Sequence, residues 1–279
     1  TVDAATALAL LDEESAHLES IVAPLAVDDW TLPTPAAGWT IADQIAHLHW
    51  TDTVALQSAR QDPAFARLVE QARTEGMTVV DDARIAYTQL PAAELLTTWR
   101  QGRADLAETL TQVDPGAKLP WFGPPMRPLT MVTARIMETW AHSLDVHDAL
   151  GVDKPAGAPL AAVVRIGLRT FGFSFSSHGL EVPEEPVRVS LALPDGERID
   201  DGPAGAANSV TGTAWGFAAV VTQRRHVDDA DLEASGPVAR QWMEIAQAFA
   251  GPPTTGPAPR ATAASTTAQT TAPDRGAER

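Results

Sequence analysis

The chain has 279 residues, 44% of them hydrophobic, which allows one large domain or two modest ones with a sizeable core. It has no cysteine, so disulfides, thiolate metal sites and a cysteine nucleophile are excluded; a metal must be held by His, Asp or Glu, and a thiol must come from outside. The formal net charge of -16, with no basic stripe, speaks against nucleic acid as a partner.

No stretch approaches the roughly 18 consecutive apolar residues that cross a bilayer. The N-terminus is acidic and amphipathic and lacks the basic segment of a signal peptide, so the expectation is a soluble, cytoplasmic protein without a membrane partner.

Leu8, Leu11, Leu18 and Ile21 recur at near-helical spacing and predict a first helix over Val2 to Val22. A loop from Pro24 to Trp39 follows. Thr40 and Asp43 then form a Thr-x-x-Asp capping box ahead of an apolar run, which predicts a helix from Thr40 to Arg60. Shorter helices are expected over Pro63–Arg73 and Val80–Tyr87. Pro91 opens another helix, which carries Leu95, Trp99, Leu106 and Leu110.

Residues 114–128 form a loop rich in Pro and Gly, with Trp121 and Phe122 read as a packed lid or a substrate contact. A long helix runs from Thr130 to Leu150 and stops at Gly151. A fifth bundle helix is expected over Pro159 to Ser177.

The pattern then changes. Residues Val187 to Leu193 alternate like a strand, and Asp195-Gly196 supplies a hairpin turn. Short strands over Ser209–Thr213 and Asp231–Ala234 flank a helix over Ala214–Thr222, and a last helix runs from Pro237 to Ala250. From Gly251 the chain is almost devoid of hydrophobes and is expected to be disordered. The domains expected are therefore a helical bundle over 1–180, a small α/β domain over 181–250 and a tail over 251–279, an α+β protein.

Glu138 and His142 lie four apart on the long helix and project from one face, and Asp145 extends that face by a turn. His47 and His49 are two apart, about 200° of helical rotation, so at most one of them can face a given metal. Each residue alone reads equally well as a helix-stabilising or packed side chain. Together they form the set a helical bundle uses, a Glu/His pair on one helix and a third ligand on another, with one coordination position left open. Asp145 would then orient His142 or a bound ligand. Trp50, Trp140, Trp121 and Phe122 could line an apolar pocket, each being more ordinary as core. His147 and His178 are taken as structural.

The segment Gly38-Trp39-Thr40 through Asp43 to His47-Leu48 resembles the G-W-T-x-x-D-x-x-x-H-L signature of the DinB/YfiT-like metal-binding superfamily. More narrowly it resembles the mycothiol-dependent maleylpyruvate isomerase branch, whose second motif, E-x-x-x-H-x-x-D, is matched by Glu138, His142 and Asp145. The resemblance spans about residues 1 to 250 and is nearest to an actinobacterial subgroup described mainly as metal-binding proteins. It implies an up-down helical bundle followed by a sterol-carrier-like α/β domain, with His47, Glu138 and His142 as metal ligands. It also implies an arginine of the second domain that binds anionic substrate, Arg224 or Arg225, although a surface salt-bridge role fits both equally.

The activity so implied is isomerisation or S-transfer on a small organic substrate. A divalent metal, Zn²⁺ first, would activate a low-molecular-weight thiol such as mycothiol. Metal-dependent hydrolase, lyase or cyclase chemistry without a thiol stays open, as does a non-enzymatic metal-binding module. A monomer or weak homodimer is expected.

Overall fold

The computed structural model describes residues 3–76 and 78–260. Its contacts divide the chain into two compact units, Thr1–Ile166 and Gly167–Arg279.

The first unit is helical. It contains α1 (Ala4–Val22), a 3-10 turn over Val27–Thr31, α2 (Ile41–Ala59), α3 (Pro63–Glu75), α4 (Thr78–Thr88), α5 (Ala92–Gln112), α6 (Pro128–Leu150) and the start of α7 (Leu160–Arg169). The helix starts follow the local chemistry read from the sequence. Thr40 caps α2 by accepting from the Asp43 backbone, while the Asp43 carboxylate accepts from the Thr40 backbone, so both halves of the capping box are made. Pro91 is the N-cap of α5 rather than part of its first turn, and α6 ends at Gly151 as expected.

α2 packs against α5, α6 and α4, and α1 packs against α6. Their apolar stripes meet in one cluster that includes Leu18, Val22, Ile41, Ile45, Leu48, Leu95, Trp99 and Val146. Fully burying side chains of this size contributes roughly 1.5–3 kcal/mol each relative to exposure. The core thus fixes α2 and α6 side by side. Arg135 and Asp52 reinforce that pairing with a buried ion pair of 2.9 Å.

A second polar knot joins α1, α6 and the strand-free segment after it. Lys154 binds the Glu14 carboxylate and donates to Ser143 Oγ at 3.1 Å. His147 Nδ1 lies 2.7 Å from the Ser143 carbonyl oxygen, and His147 Nε2 lies 3.1 Å from His17 Nε2. His147, expected to be structural, belongs to this knot.

The second unit carries the end of α7, α8 (Phe171–Ser177), β1 (Val187–Ala192), β2 (Arg198–Asp201), β3 (Asn208–Thr213), α9 (Ala214–Val221), β4 (Leu232–Ser235) and α10 (Pro237–Ile245). The sheet order is β2-β1-β3-β4, with β1 parallel to β3 and the outer pairs antiparallel. The α+β class read from the sequence is observed. No helix among the described residues is long and apolar enough to cross a membrane.

Three boundaries differ from expectation, each for a physical reason. The single helix expected over Pro159–Ser177 is divided at Thr170 into α7 and α8. Gly167 lies so close to Phe217 and Val221 that an added Cβ would sit 2.9 and 2.8 Å from them, and Phe171 meets Trp242 edge-on at 5.0 Å. Residues 167–177 therefore belong with the sheet, and the division falls after Ile166 rather than after residue 180.

The last helix stops at Ile245, not Ala250: the backbone N–H groups that would continue it go elsewhere, that of Gln247 to Ser174 Oγ at 3.0 Å and that of Ala248 to the Val221 carbonyl at 2.8 Å. Residues 251–259 have no regular structure but are tied down rather than loose. Gln223 Nε2 donates to the Thr254 carbonyl at 2.7 Å, and the Thr254 backbone donates to Gln247 Oε1 at 3.2 Å. The rest of the expected tail, residues 261–279, lies outside the described residues.

Candidate metal centre

The site is built on α2 and α6. His47 projects from the second turn of α2, and Glu138 and His142 project from neighbouring turns of α6. One donor atom from each of the three lies within 4.8 Å of the other two. The ring centroids of His47 and His142 are 4.6 Å apart, and His142 Nε2 is 3.3 Å from Glu138 Oε2. Two donors bound tetrahedrally at about 2.0–2.2 Å from one ion lie roughly 3.3–3.5 Å apart, so the Glu138–His142 pair already has the separation of a shared ligand pair.

Two imidazoles and a carboxylate suit Zn²⁺ and similar divalent ions. His142 is buried, whereas His47 and Glu138 are only partly covered, which leaves one side of the cluster facing outward. His49 points away from the cluster. Its ring meets Tyr87 edge-on at 4.5 Å and lies against Gly102 of α5, as the 200° separation from His47 requires.

The electrostatics keep Glu138 ready as a ligand. Burial, the largest single influence, raises its pKa. The hydrogen bond with His142 and the charges of His142, His47 and Arg135 outweigh that effect and hold the carboxyl down at about 2. Glu138 is therefore an anion throughout the neutral range and loses no proton on coordination.

The loop before α2 forms the wall. Gly38, at φ +77°, turns the chain through a conformation that other residues adopt only with strain. Trp39 then lies over both histidines, stacked on His142 at 5.9 Å and tilted against His47 at 5.1 Å. The Arg84 guanidinium backs Trp39 from 4.8 Å and is itself bound by Asp43 of the capping box. Trp50 approaches His47 at 6.1 Å.

Of the other aromatics considered from sequence, Trp140 is core, 1% exposed, and Trp121 and Phe122 pack on Phe65 of α3. Asp145 is buried beside His142, but its carboxylate stands 3.8 Å from His142 Nδ1, beyond hydrogen-bond reach. The partner of that nitrogen is Gln44 Oε1, at 2.5 Å. Gln44 is one helical turn before His47 and shares its face, so the spacing carried a signal for it. Arg84, brought in by a separate helix, left no such signal.

Arg224 and Arg225 are in the second unit. Arg224 Nη1 donates to the Thr222 carbonyl at 2.7 Å. Arg225 Nη1 donates to the Arg224 carbonyl at 2.8 Å, and its guanidinium stands 5.7 Å from the Trp215 ring centre.

Residues 11–147, which contain all three candidate ligands, match the family model described as the mycothiol maleylpyruvate isomerase N-terminal domain. The chain belongs to the mycothiol-dependent maleylpyruvate isomerase family. This is a family of enzymes within the DinB-like superfamily. Over 243 residues the chain is 49% identical to uncharacterized proteins from two strains of Mycobacterium tuberculosis, covering 87% of this chain and 95% of theirs. Two solved structures share its fold with a TM-score of 0.59 at 15% identity, over 83% of this chain and 93% of theirs. They are crystal structures of the mycothiol-dependent maleylpyruvate isomerase and of a histidine-to-alanine variant of it. The matched segment takes in α2 and most of α6, the two helices that carry the three-residue cluster.

Proposed function

We propose that this protein is a divalent-metal-dependent enzyme that uses mycothiol to isomerise, or transfer sulfur to, a small organic substrate, with Zn²⁺ held by His47, Glu138 and His142. The observation that carries the reading is the convergence of two imidazoles and an ionised carboxylate, at ligand-pair separation, inside the segment that matches the family model. Bound there, a divalent ion would act as a Lewis acid that lowers a thiol's pKa and makes thiolate available near neutral pH.

The chain's own residues do the rest. Glu138 offsets the ion's charge, Trp39 and Trp50 cover the histidines against water, and Asp145 adds a fixed negative charge beside His142. In isomerisation the sulfur would bond to an activated alkene carbon and the π pair would move onto the conjugated carbonyl. Rotation and loss of the same C–S bond would then restore the alkene and release the thiol. Addition without elimination would make the reaction a transfer.

The absence of cysteine in the chain means that any thiolate seen at the ion comes from the co-substrate. A cytoplasmic location suits this reading, because low-molecular-weight thiols stay reduced there. A monomer or weak homodimer is in keeping with it.

Elemental analysis of the purified protein is expected to give near one ion per chain, and X-ray absorption to show a sulfur neighbour on adding mycothiol. Turnover of maleylpyruvate, the substrate named for the structural neighbours, is the first reaction to assay. An ion that never gains sulfur would redirect the reading to thiol-independent hydrolase, lyase or cyclase chemistry. No ion after reconstitution would overturn it and leave a binding module.

Arg224 and Arg225 enter as candidates for the substrate's carboxylate, a role that suits a planar, permanently charged donor. Replacing the one that binds substrate by Ala is expected to raise KM about tenfold or more, the loss of one charged hydrogen bond. Replacing the other should leave KM unchanged. Unchanged kinetics in both variants would remove arginine from the site.

A further inference from the structure

We infer that Gln44 is the positioning residue of the centre: it sets the tautomer and aim of His142 through a one-way hydrogen-bond relay that begins at the Trp39 backbone. The inference rests on the metal reading above for its consequence, but not for its geometry.

Gln44 is fully buried on α2, and His142 is 7% exposed on α6. An amide side chain can face its oxygen or its nitrogen toward a partner, and neighbouring groups decide which. Here the decision is made by Thr34. Its hydroxyl donates to the Trp39 carbonyl oxygen at 3.0 Å, and a carbonyl oxygen can only accept. With its one proton committed, Thr34 Oγ1 can only accept from Gln44, so Gln44 Nε2 faces it, at 2.9 Å. The Gln44 oxygen is then necessarily the atom that meets His142 Nδ1.

An amide oxygen has no proton to give. His142 must therefore carry hydrogen on Nδ1, so Nε2, the nitrogen that lies 3.3 Å from Glu138, is the one left for a metal to take. The ring is thus aimed at the ligand cluster by the correct nitrogen before any metal arrives. The same relay ties the Trp39 loop to His142, on which the Trp39 ring is stacked. Asp145, 3.8 Å from the same nitrogen, is too distant to perform this role. A neutral acceptor differs from the carboxylate often found behind a ligating histidine in adding no negative charge through that hydrogen bond.

The test uses the full chain in three variants. Gln44→Leu keeps the volume and removes the acceptor. Gln44→Glu keeps an acceptor at the same atom. Thr34→Val removes the group that fixes the amide's direction. Zn²⁺ dissociation constants measured by chelator competition are expected to rise about 10- to 100-fold in Gln44→Leu. They should return to the wild-type value or below in Gln44→Glu, and rise less steeply in Thr34→Val.

The ¹⁵N chemical shifts of His142 in the metal-free wild type at pH 8 should report hydrogen on Nδ1, a measurement that stands even if Gln44→Leu fails to fold. A ring with hydrogen on Nε2 and none on Nδ1 would overturn the relay, as would wild-type affinity in Gln44→Leu. Equal loss in Gln44→Leu and Gln44→Glu would overturn it too, because the amide would then matter for its shape and not as an acceptor. A wild type with the expected tautomer that binds no metal would instead defeat the metal reading alone.

Discussion

Replacing Glu138 by Gln is expected to weaken Zn²⁺ binding by about 10²–10³-fold and to abolish thiol-dependent turnover, while the folded chain is retained. The magnitude follows from dividing the roughly 10–16 kcal/mol of apparent Zn²⁺ binding in a four-ligand site among its ligands, about 2.5–4 kcal/mol each. Gln preserves the size of the side chain and can still hydrogen-bond His142. The change therefore isolates the negative charge that sits 3.3 Å from His142 Nε2.

His142→Ala should cost at least as much, because it removes a ligand and leaves the buried Gln44 oxygen without its partner. His49→Ala is the control on the same helix as His47. Its ring faces Tyr87 and Gly102, so metal affinity should stay at the wild-type value. Isothermal titration with Zn²⁺ and the metal-induced rise in Tm read these outcomes, since an ion at 1,000 times its Kd stabilises a fold by about 4 kcal/mol. If Glu138→Gln binds Zn²⁺ as the wild type does, the carboxylate is not a ligand and the site must be redrawn around the two histidines.

Much of this centre was open to reading from the chain because its parts are local. The capping box sets where α2 begins, and helical geometry alone separates His47 from His49 and joins Glu138 to His142. What periodicity cannot supply is which side chain from another element fills the space behind a ligand. The spacing offered Asp145 as the support for His142, yet Gln44, 98 residues away in sequence, takes the hydrogen bond because the core brings α2 against α6. Arg84 behind Trp39 depends in the same way on α4 packing against α2.

The fold shows a similar division. The hairpin turn at Asp195-Gly196 was legible in sequence, whereas the parallel pairing of β1 with β3 is a non-local choice. The break at Thr170 is equally non-local. The Leu160–Ser177 region has the periodicity of one helix, and its division reflects Gly167 and Phe171 meeting Phe217 and Trp242, residues far along the chain.

Lys154→Ala is expected to destabilise the protein by about 3–5 kcal/mol, the cost of leaving one member of a buried ion pair alone. The Lys154 and Glu14 side chains are 1% and 5% exposed, so neither charge can turn to water when its partner is removed. Surface pairs in this chain, such as Arg73 with Glu70 at 74% and 65% exposure, should by contrast cost under about 1 kcal/mol. The double variant Lys154→Met, Glu14→Leu removes both charges and should recover most of the loss. If it stays as unstable as the single variant, shape rather than charge governs the knot. If Lys154→Ala costs less than about 1 kcal/mol, Glu14 reaches solvent and the pair behaves as a surface one.

The same knot gives the stability a pH dependence of known sign. His147 Nδ1 must donate to the Ser143 carbonyl, so its Nε2 accepts from His17 Nε2 and both rings are neutral. Burial first, and the Lys154 ammonium with it, push both histidines below their ordinary pKa of 6.5. A base whose folded pKa is depressed takes up its proton more readily when unfolded, so stability is complete above about pH 6.5 and falls as the solution is acidified. Unfolding by urea at stepped pH should show that acid limb in the wild type. In the double variant the Lys154 charge no longer opposes protonation of His147, so its folded pKa should rise toward the ordinary value and the acid limb should become shallower. A limb of unchanged depth would mean that burial, and not Lys154, holds this histidine neutral.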